Sequence, residues 1–134
     1  MLTGSCACRA VRYEIAGELG PIVFCHCGDC RKAQGGAFAV TAPVRTSELR
    51  FVSGEDALEA YPSSPGKERV FCRRCGSPII SRRAARPDVA RLRLGTLDTA
   101  IDARPVAHIF VASKAPWFEI TDGLPQYAEY EPTR

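Results

Sequence analysis

No uninterrupted apolar stretch in these 134 residues approaches the roughly 18 that suggest a membrane-spanning helix. The start, Met1-Leu2-Thr3-Gly4-Ser5-Cys6, lacks the basic region and apolar core of a secretory signal, so the expected address is cytoplasmic, with no membrane partner. One-sided charge is missing as well. Eighteen basic side chains stand against 15 acidic ones, a net charge of +3, too mild by itself to imply nucleic acid or an anionic membrane. Charged residues make up 25% of the chain, which is ordinary globular usage and speaks against disorder. No internal repeat, low-complexity tract or linker is present, and the length suits a single domain over 1–134.

Helix-period stretches are scarce, and the dominant period is two. Val11, Tyr13 and Ile15 alternate with Arg12 and Glu14, as in a strand with one buried face. Leu49 and Phe51 flank Arg50 in the same way. Ala90, Leu92 and Leu94 alternate with Arg91 and Arg93, the clearest two-faced pattern in the chain. Residues 38–44, 68–71, 78–81 and 108–111 read as further short strands, and 62–66 as the plainest turn or loop. One short helix is expected over 28–34, closing at Gly35-Gly36. Many short strands between turn signals predict a mostly β domain with little helix.

What the chain does have is cysteine. Seven fall in three clusters: Cys6-Ala-Cys8, Cys25-His26-Cys27-Gly28-Asp29-Cys30, and Cys72-Arg73-Arg74-Cys75-Gly76. A reducing cytosol disfavours disulfides, so an odd count in tight motifs reads as metal binding. A structural zinc takes four protein ligands, and a catalytic zinc takes three and keeps one position open. Seven divides as four and three.

Cys72-x-x-Cys75-Gly76 has the form of a zinc knuckle, in which the glycine lets the backbone turn beneath the sulfur. Cys6 and Cys8 could complete that site across the 64 residues from Cys8 to Cys72. Loop closure grows only logarithmically with length and costs a few kcal/mol at that separation. Zinc binding in small zinc-finger peptides is worth about 10–16 kcal/mol. Cys25, Cys27 and Cys30 then remain as a tripod with an open fourth position. Spacing alone also allows Cys6, Cys8, Cys25 and Cys27 to share an ion, or the trio to be a second structural site completed by His108 or Asp29. His26 points away from its ligand neighbours in extended backbone, which makes it a proton relay, a hydrogen-bonding partner to the site, or a polar surface residue. His108, opening the apolar run Ile109-Phe110-Val111, reads as a satisfied edge histidine rather than a ligand. Three thiolates on Zn²⁺ leave a charge of about −1, weakly Lewis acidic, suited to an added soft thiol in the open position. Arg31 and Lys32 could offset that charge or hold a substrate carboxylate, and as a solvated basic pair they would do neither.

Gly4-Ser5-Cys6-Ala7-Cys8 leading into Val11-Arg12-Tyr13, then Cys25 through Arg31, then Cys72 through Ser77, then His108-Ile109-Phe110 and Lys114-Ala115-Pro116-Trp117, resembles the glutathione-dependent formaldehyde-activating enzyme and centromere protein V family. Arg9 stands where that family commonly has glycine. The resemblance implies a β-tent fold, small antiparallel sheets clamped by zinc. It implies two Zn²⁺ per chain: a structural ion on Cys6, Cys8, Cys72 and Cys75, and a catalytic ion on Cys25, Cys27 and Cys30. The activity it implies is condensation of a small thiol, glutathione, with an aldehyde, formaldehyde, reversibly a carbon–sulfur lyase reaction. Lys114, Trp117 and His26 are candidates to line the pocket.

The alternative is a non-catalytic zinc-stabilised binding module. Eight arginines lie between positions 69 and 93 (69, 73, 74, 82, 83, 86, 91 and 93) against one acid, Asp88. Such a basic stripe occurs at nucleic-acid surfaces, but alternation on a strand more often marks a solvated face. The three-ligand site favours the enzyme, and a nucleic-acid partner is not expected.

Overall fold

The computed structural model describes residues 1–132 and 134. In chain order its elements are β1 (Leu2–Ser5), β2 (Arg12–Ile15), β3 (Val23–Cys25), α1 (Gly28–Gln34), β4 (Ala39–Arg45), β5 (Leu49–Ser53), β6 (Leu58–Ser64), β7 (Lys67–Cys72), β8 (Pro78–Arg83), β9 (Arg86–Arg93) and β10 (Ala107–Ile109). The protein is mostly β, as the period-two patterning predicts. Two compact units divide the chain: Met1–Gly20 with Ala42–Asp102, and Pro21–Thr41 with Ala103–Arg134. Strand β4 passes through both.

In the first unit β1, β2 and β5 form an antiparallel sheet with β2 in the middle. Val11, Tyr13 and Ile15 are buried while Arg12 is exposed, so the alternation reads out as one packed and one wet face. The strands run β4-β9-β8-β7-β6 in the other sheet of this unit. Val70, Cys72, Ile79, Ile80, Ala90 and Leu92 join the β2 side chains in one core cluster. Fully burying an isoleucine or leucine side chain contributes roughly 1.5–3 kcal/mol. Gly4 is required by close approach: a Cβ there would fall 2.1 Å from Tyr13 Cζ. The Tyr13 hydroxyl bonds Thr96 Oγ1 at 2.8 Å, and burial pushes its pKa up to about 12.

In the second unit β3 lies between β4 and β10. It pairs antiparallel with β4 but parallel with β10, so this sheet is mixed rather than wholly antiparallel. Val23, Cys25, Ala39, Ala107 and Ile109 supply its apolar interior together with Cys30 of α1. The helix keeps the predicted bounds and ends on Gly35 at φ 69°, a left-handed cap that favours glycine. The segment after residue 124 runs along β10: Pro125 O accepts from the His108 amide, and the Tyr127 amide donates to His108 O.

Three strand expectations shift. Leu94 lies past β9, in a 3-10 turn over Leu94–Thr96. The 108–111 strand stops at Ile109 because Phe110 turns to φ 56° and opens another such turn. The loop expected over 62–66 shrinks to the reversal around Pro65-Gly66, because Pro62 and Ser64 still pair along β6. Proline and serine runs signal turns, yet a proline is tolerated in this strand, which ends the sheet.

Candidate metal centre

The first cluster is built from two knuckles in the first unit. Cys6 follows β1, and Cys72 ends β7. Their sulfurs and those of Cys8 and Cys75 all lie within 4.8 Å of one another. Cys6 and Cys8 Sγ are 3.6 Å apart, and Cys8 and Cys72 Sγ 3.9 Å. Each knuckle closes on a left-handed residue. Gly76, at φ 80°, donates its amide to Cys72 O at 2.7 Å, and Arg9, at φ 66°, donates to Cys6 O at 3.0 Å. Arg9 adopts this left-handed conformation, which favours glycine, despite its side chain. Ser77 ties the knuckles: its Oγ accepts from the Ala7 amide at 2.9 Å and sits 3.3 Å from Cys75 Sγ. Hydrogen bonding with Ser77 draws the Cys75 thiol down to about 5. Cys6 and Cys72 are buried, and Cys8 and Cys75 exposed.

The second cluster lies in the second unit. Cys25 ends β3, Cys27 caps α1 by accepting the Cys30 amide on its sulfur at 3.2 Å, and Cys30 sits buried in the first helical turn. Strand end, cap and first turn together bring the three sulfurs within 4.8 Å of one another. All seven cysteines are free, and the structure groups them four and three, not as Cys6, Cys8, Cys25 and Cys27. Among the described residues no further cysteine, histidine or carboxylate joins the trio at that distance. The Cys25 thiol is pushed far up, first by its hydrogen bonds with Cys27 and Cys30 and then by burial. Three soft donors that cannot ionise together without a counter-charge fit a thiophilic divalent cation.

His26 is fully buried, so its reading as a surface residue does not hold. Its Nε2 lies 2.8 Å from His108 Nδ1, and His108 Nε2 lies 3.1 and 3.0 Å from the two Asp122 carboxylate oxygens. His108 is therefore satisfied at both nitrogens, as expected of a non-ligand. An ionised carboxylate only accepts, which places a proton on His108 Nε2. With both rings neutral, His108 Nδ1 then accepts from His26 Nε2–H. Burial, then the nearness of His108, lowers the His26 pKa to about 4. The bond to His108 holds the Asp122 carboxyl below its usual range. Phe38 and Phe118 rings pack on His26 with centroids at 5.3 and 6.0 Å, and Phe24 stacks on His108 at 4.7 Å.

The remaining candidates fare differently. Lys114 Nζ donates to the Ala115 carbonyl at 3.0 Å and also to the Phe118 carbonyl, so its ammonium is used in folding that loop. Trp117 is 69% exposed. Arg31 and Lys32 fall in the last turn of α1. The arginine run is not one solvated stripe: Arg69 and Arg93 are buried, Arg82 pairs with Glu68 at 3.0 Å, and Arg86 pairs with Asp88 at 3.2 Å. Asp122 and Ser77 were not singled out by sequence reasoning. Asp122 is 14 residues from its histidine with no periodic link, and a lone Asp-Gly reads only as a turn.

Residues 1–113 match the family model described as "Glutathione-dependent formaldehyde-activating enzyme". A Halomonas elongata protein named "Putative glutathione-dependent formaldehyde-activating enzyme" is 31% identical over 129 residues, 90% of this chain and 81% of that protein. A Schizosaccharomyces pombe protein named an uncharacterized lyase is 30% identical over 76 residues, 57% of this chain and 53% of its own. A crystal structure of a Rhodobacter sphaeroides protein superposes with a TM-score of 0.62 at 28% identity, covering 75% of this chain and 91% of that one. By the family match and the kinship with the Halomonas relative, this chain belongs to the glutathione-dependent formaldehyde-activating enzyme family.

Proposed function

We propose that this protein is a zinc-dependent carbon–sulfur lyase-like enzyme acting on a small thiol or its aldehyde adduct, with S-hydroxymethylglutathione synthase-like chemistry. The observation that carries the reading is the contrast between a four-sulfur and a three-sulfur cluster. In this reading Cys6, Cys8, Cys72 and Cys75 hold a structural zinc, and Cys25, Cys27 and Cys30 hold a catalytic one. When bound to the trio, zinc supplies an open position that favours the thiolate form of an added thiol. The net reaction joins a thiol sulfur to an aldehyde carbon, and the S–H proton ends on the carbonyl oxygen. The reverse cleaves that carbon–sulfur bond. The chain's own part is to hold three sulfurs on one face and leave the opposite face to substrate. The buried β3 end and the α1 cap do the holding. Arg31 and Lys32, just after Cys30, place positive charge on the segment that carries these thiolates. A reducing cytoplasm, the proposed address, keeps the ligand thiols available and supplies thiol substrate.

The test is exchange NMR between thiol plus formaldehyde and the hydroxymethyl adduct, with the Cys27→Ser variant at equal concentration as control because the uncatalysed reaction is fast. Wild-type protein should accelerate glutathione exchange, and the variant should not. Equal rates with glutathione would remove it as substrate, and equal rates across a panel of cellular thiols would refute the enzymatic reading.

A further inference from the structure

His26, between the first two cysteines of the trio, is held through both its backbone and its ring. The His26 amide donates to Ile109 O at 3.0 Å, and its carbonyl accepts from Ser113 Oγ at 3.4 Å. Its ring is fixed through His108 by Asp122. Main chain and side chain of the residue between Cys25 and Cys27 are thus both anchored to the stretch 108–122. Asp122 lies beyond the residues that the family model matches.

We propose that Asp122, acting through His108 and His26, is a positioning residue that fixes the Cys25-His26-Cys27 turn so that the three sulfurs are preset for one metal ion. The physical argument is geometric. A tripod binds well only if its donors converge before the ion arrives, since ordering a loop on binding costs free energy. Cys25 is set by β3, Cys30 by α1, and Cys27 by its cap bond from the Cys30 amide; on its other side Cys27 follows directly from His26, the one residue between it and Cys25. Burial against Phe38 and Phe118 confines the His26 ring, and a hydrogen bond is what fixes its orientation within that packing. His108 fixes it at 2.8 Å, and His108 is itself fixed by a bond to each Asp122 oxygen. In the neutral form of His108 the carboxylate selects the tautomer whose Nδ1 accepts, which gives the chain of bonds one direction. Groups hydrogen-bonded directly to a ligating side chain typically change metal affinity about 10–100-fold when mutated, and Asp122, which acts through two histidines, belongs at the low end of that range. The inference rests on the reading that the trio holds a metal.

The experiment is chelator competition on zinc-loaded full-length protein, following release from the three-cysteine and four-cysteine sites separately. Asp122→Ala should weaken the three-cysteine site about tenfold or more and leave the four-cysteine site unchanged. Asp122 also accepts the Leu124 amide at 3.1 Å, so two further variants separate that turn from the clamp. Asp122→Ser can still cap Leu124 but is too short to reach His108, and it should behave like Asp122→Ala. Asp122→Asn keeps an acceptor for His108 Nε2–H and should restore most of the affinity. A readout free of metal is the imidazole ¹⁵N pattern by NMR. Wild type and Asp122→Asn should show both histidines protonated at Nε2, and Asp122→Ser should lose that fixed pattern. Wild-type affinity in Asp122→Ser, or an unaltered ¹⁵N pattern, would overturn the clamp. Wild-type protein that loads only one ion would instead overturn the two-site reading, and the clamp's purpose with it.

Discussion

Replacing Arg9 by glycine should stabilise the protein by about 0.5–1 kcal/mol, the strain of the left-handed region less the entropy glycine adds to the unfolded chain. Arg9 holds φ 66°, and a residue with a Cβ pays roughly 1–2 kcal/mol in that region. Glycine relieves the strain while enlarging the unfolded ensemble, which offsets about 0.4–1 kcal/mol. The hydrogen bonds of the turn survive the change, because Arg9 contributes only backbone: its amide donates to Cys6 O, and its carbonyl accepts Arg12 Nε at 3.3 Å. Gly76 provides the converse. It closes the other knuckle at φ 80°, and a Cβ there meets nothing within 4 Å, so Gly76→Ala costs conformation alone, about 0.5–1 kcal/mol by the same reckoning. Urea unfolding of zinc-saturated protein reads both, as midpoint shifts of opposite sign and a few tenths of a molar at slopes of about 1–3 kcal/mol per molar. A lower midpoint for Arg9→Gly, or an unmoved one for Gly76→Ala, would refute the argument that these two positions do the same conformational task.

Fully loaded protein should carry two zinc ions per chain, and the three-cysteine site should empty first under a chelator, having fewer donors; elemental analysis showing one ion at full loading would contradict this. Cys75→Ser should unfold or insolubilise the protein, whereas Cys27→Ser should stay folded with weakened second-site occupancy; equal loss of stability in both would mean two structural sites. Gly4→Ala should cost about 1–3 kcal/mol, because the new methyl meets the Tyr13 ring and the Thr96 carbonyl, and an unchanged urea midpoint would argue against the packing. Cobalt-substituted protein should change its visible absorption when a thiol is added, and a silent spectrum would count against an open coordination position.

The cysteine spacing made the three short motifs legible, because chelate motifs bring their own geometry, but how they combine into clusters needed the fold. Cys72 to Gly76 encodes its turn through the glycine, and Cys27 to Cys30 encodes a helix start that the structure keeps at Gly28–Gln34. The strands with clean alternation, such as Arg12–Ile15, were equally readable, since a period of two maps directly onto buried and exposed faces. What escaped depends on contacts distant in sequence. The parallel pairing of β10 with β3 joins residues more than 80 positions apart, and nothing local distinguishes it from an antiparallel neighbour. Arg93 alternates like a solvated residue yet is buried, because the partner strand decides which face is covered. His26 looked as much a surface residue as a relay until His108 and Asp122 were placed beside it. Phe110 gave no warning of its left-handed conformation, since bulky residues seldom adopt one.

The two clusters also differ in when they can exist. Cys25, Cys27 and Cys30 span six consecutive residues, so the nascent chain can present all three sulfurs as soon as that short stretch leaves the ribosome. The four-cysteine site cannot be complete until Cys75 has been made, and by then β1 to β7 are already synthesised. The unit around the trio waits longer still, because its sheet needs β10 and the segment that runs along it. If the trio holds an ion, as proposed, that ion can meet it first as a bare loop, and the Asp122 clamp then acts on how firmly the finished site keeps it. Expression in zinc-poor medium should then leave the trio the emptier of the two clusters, and zinc added to the folded protein should refill it.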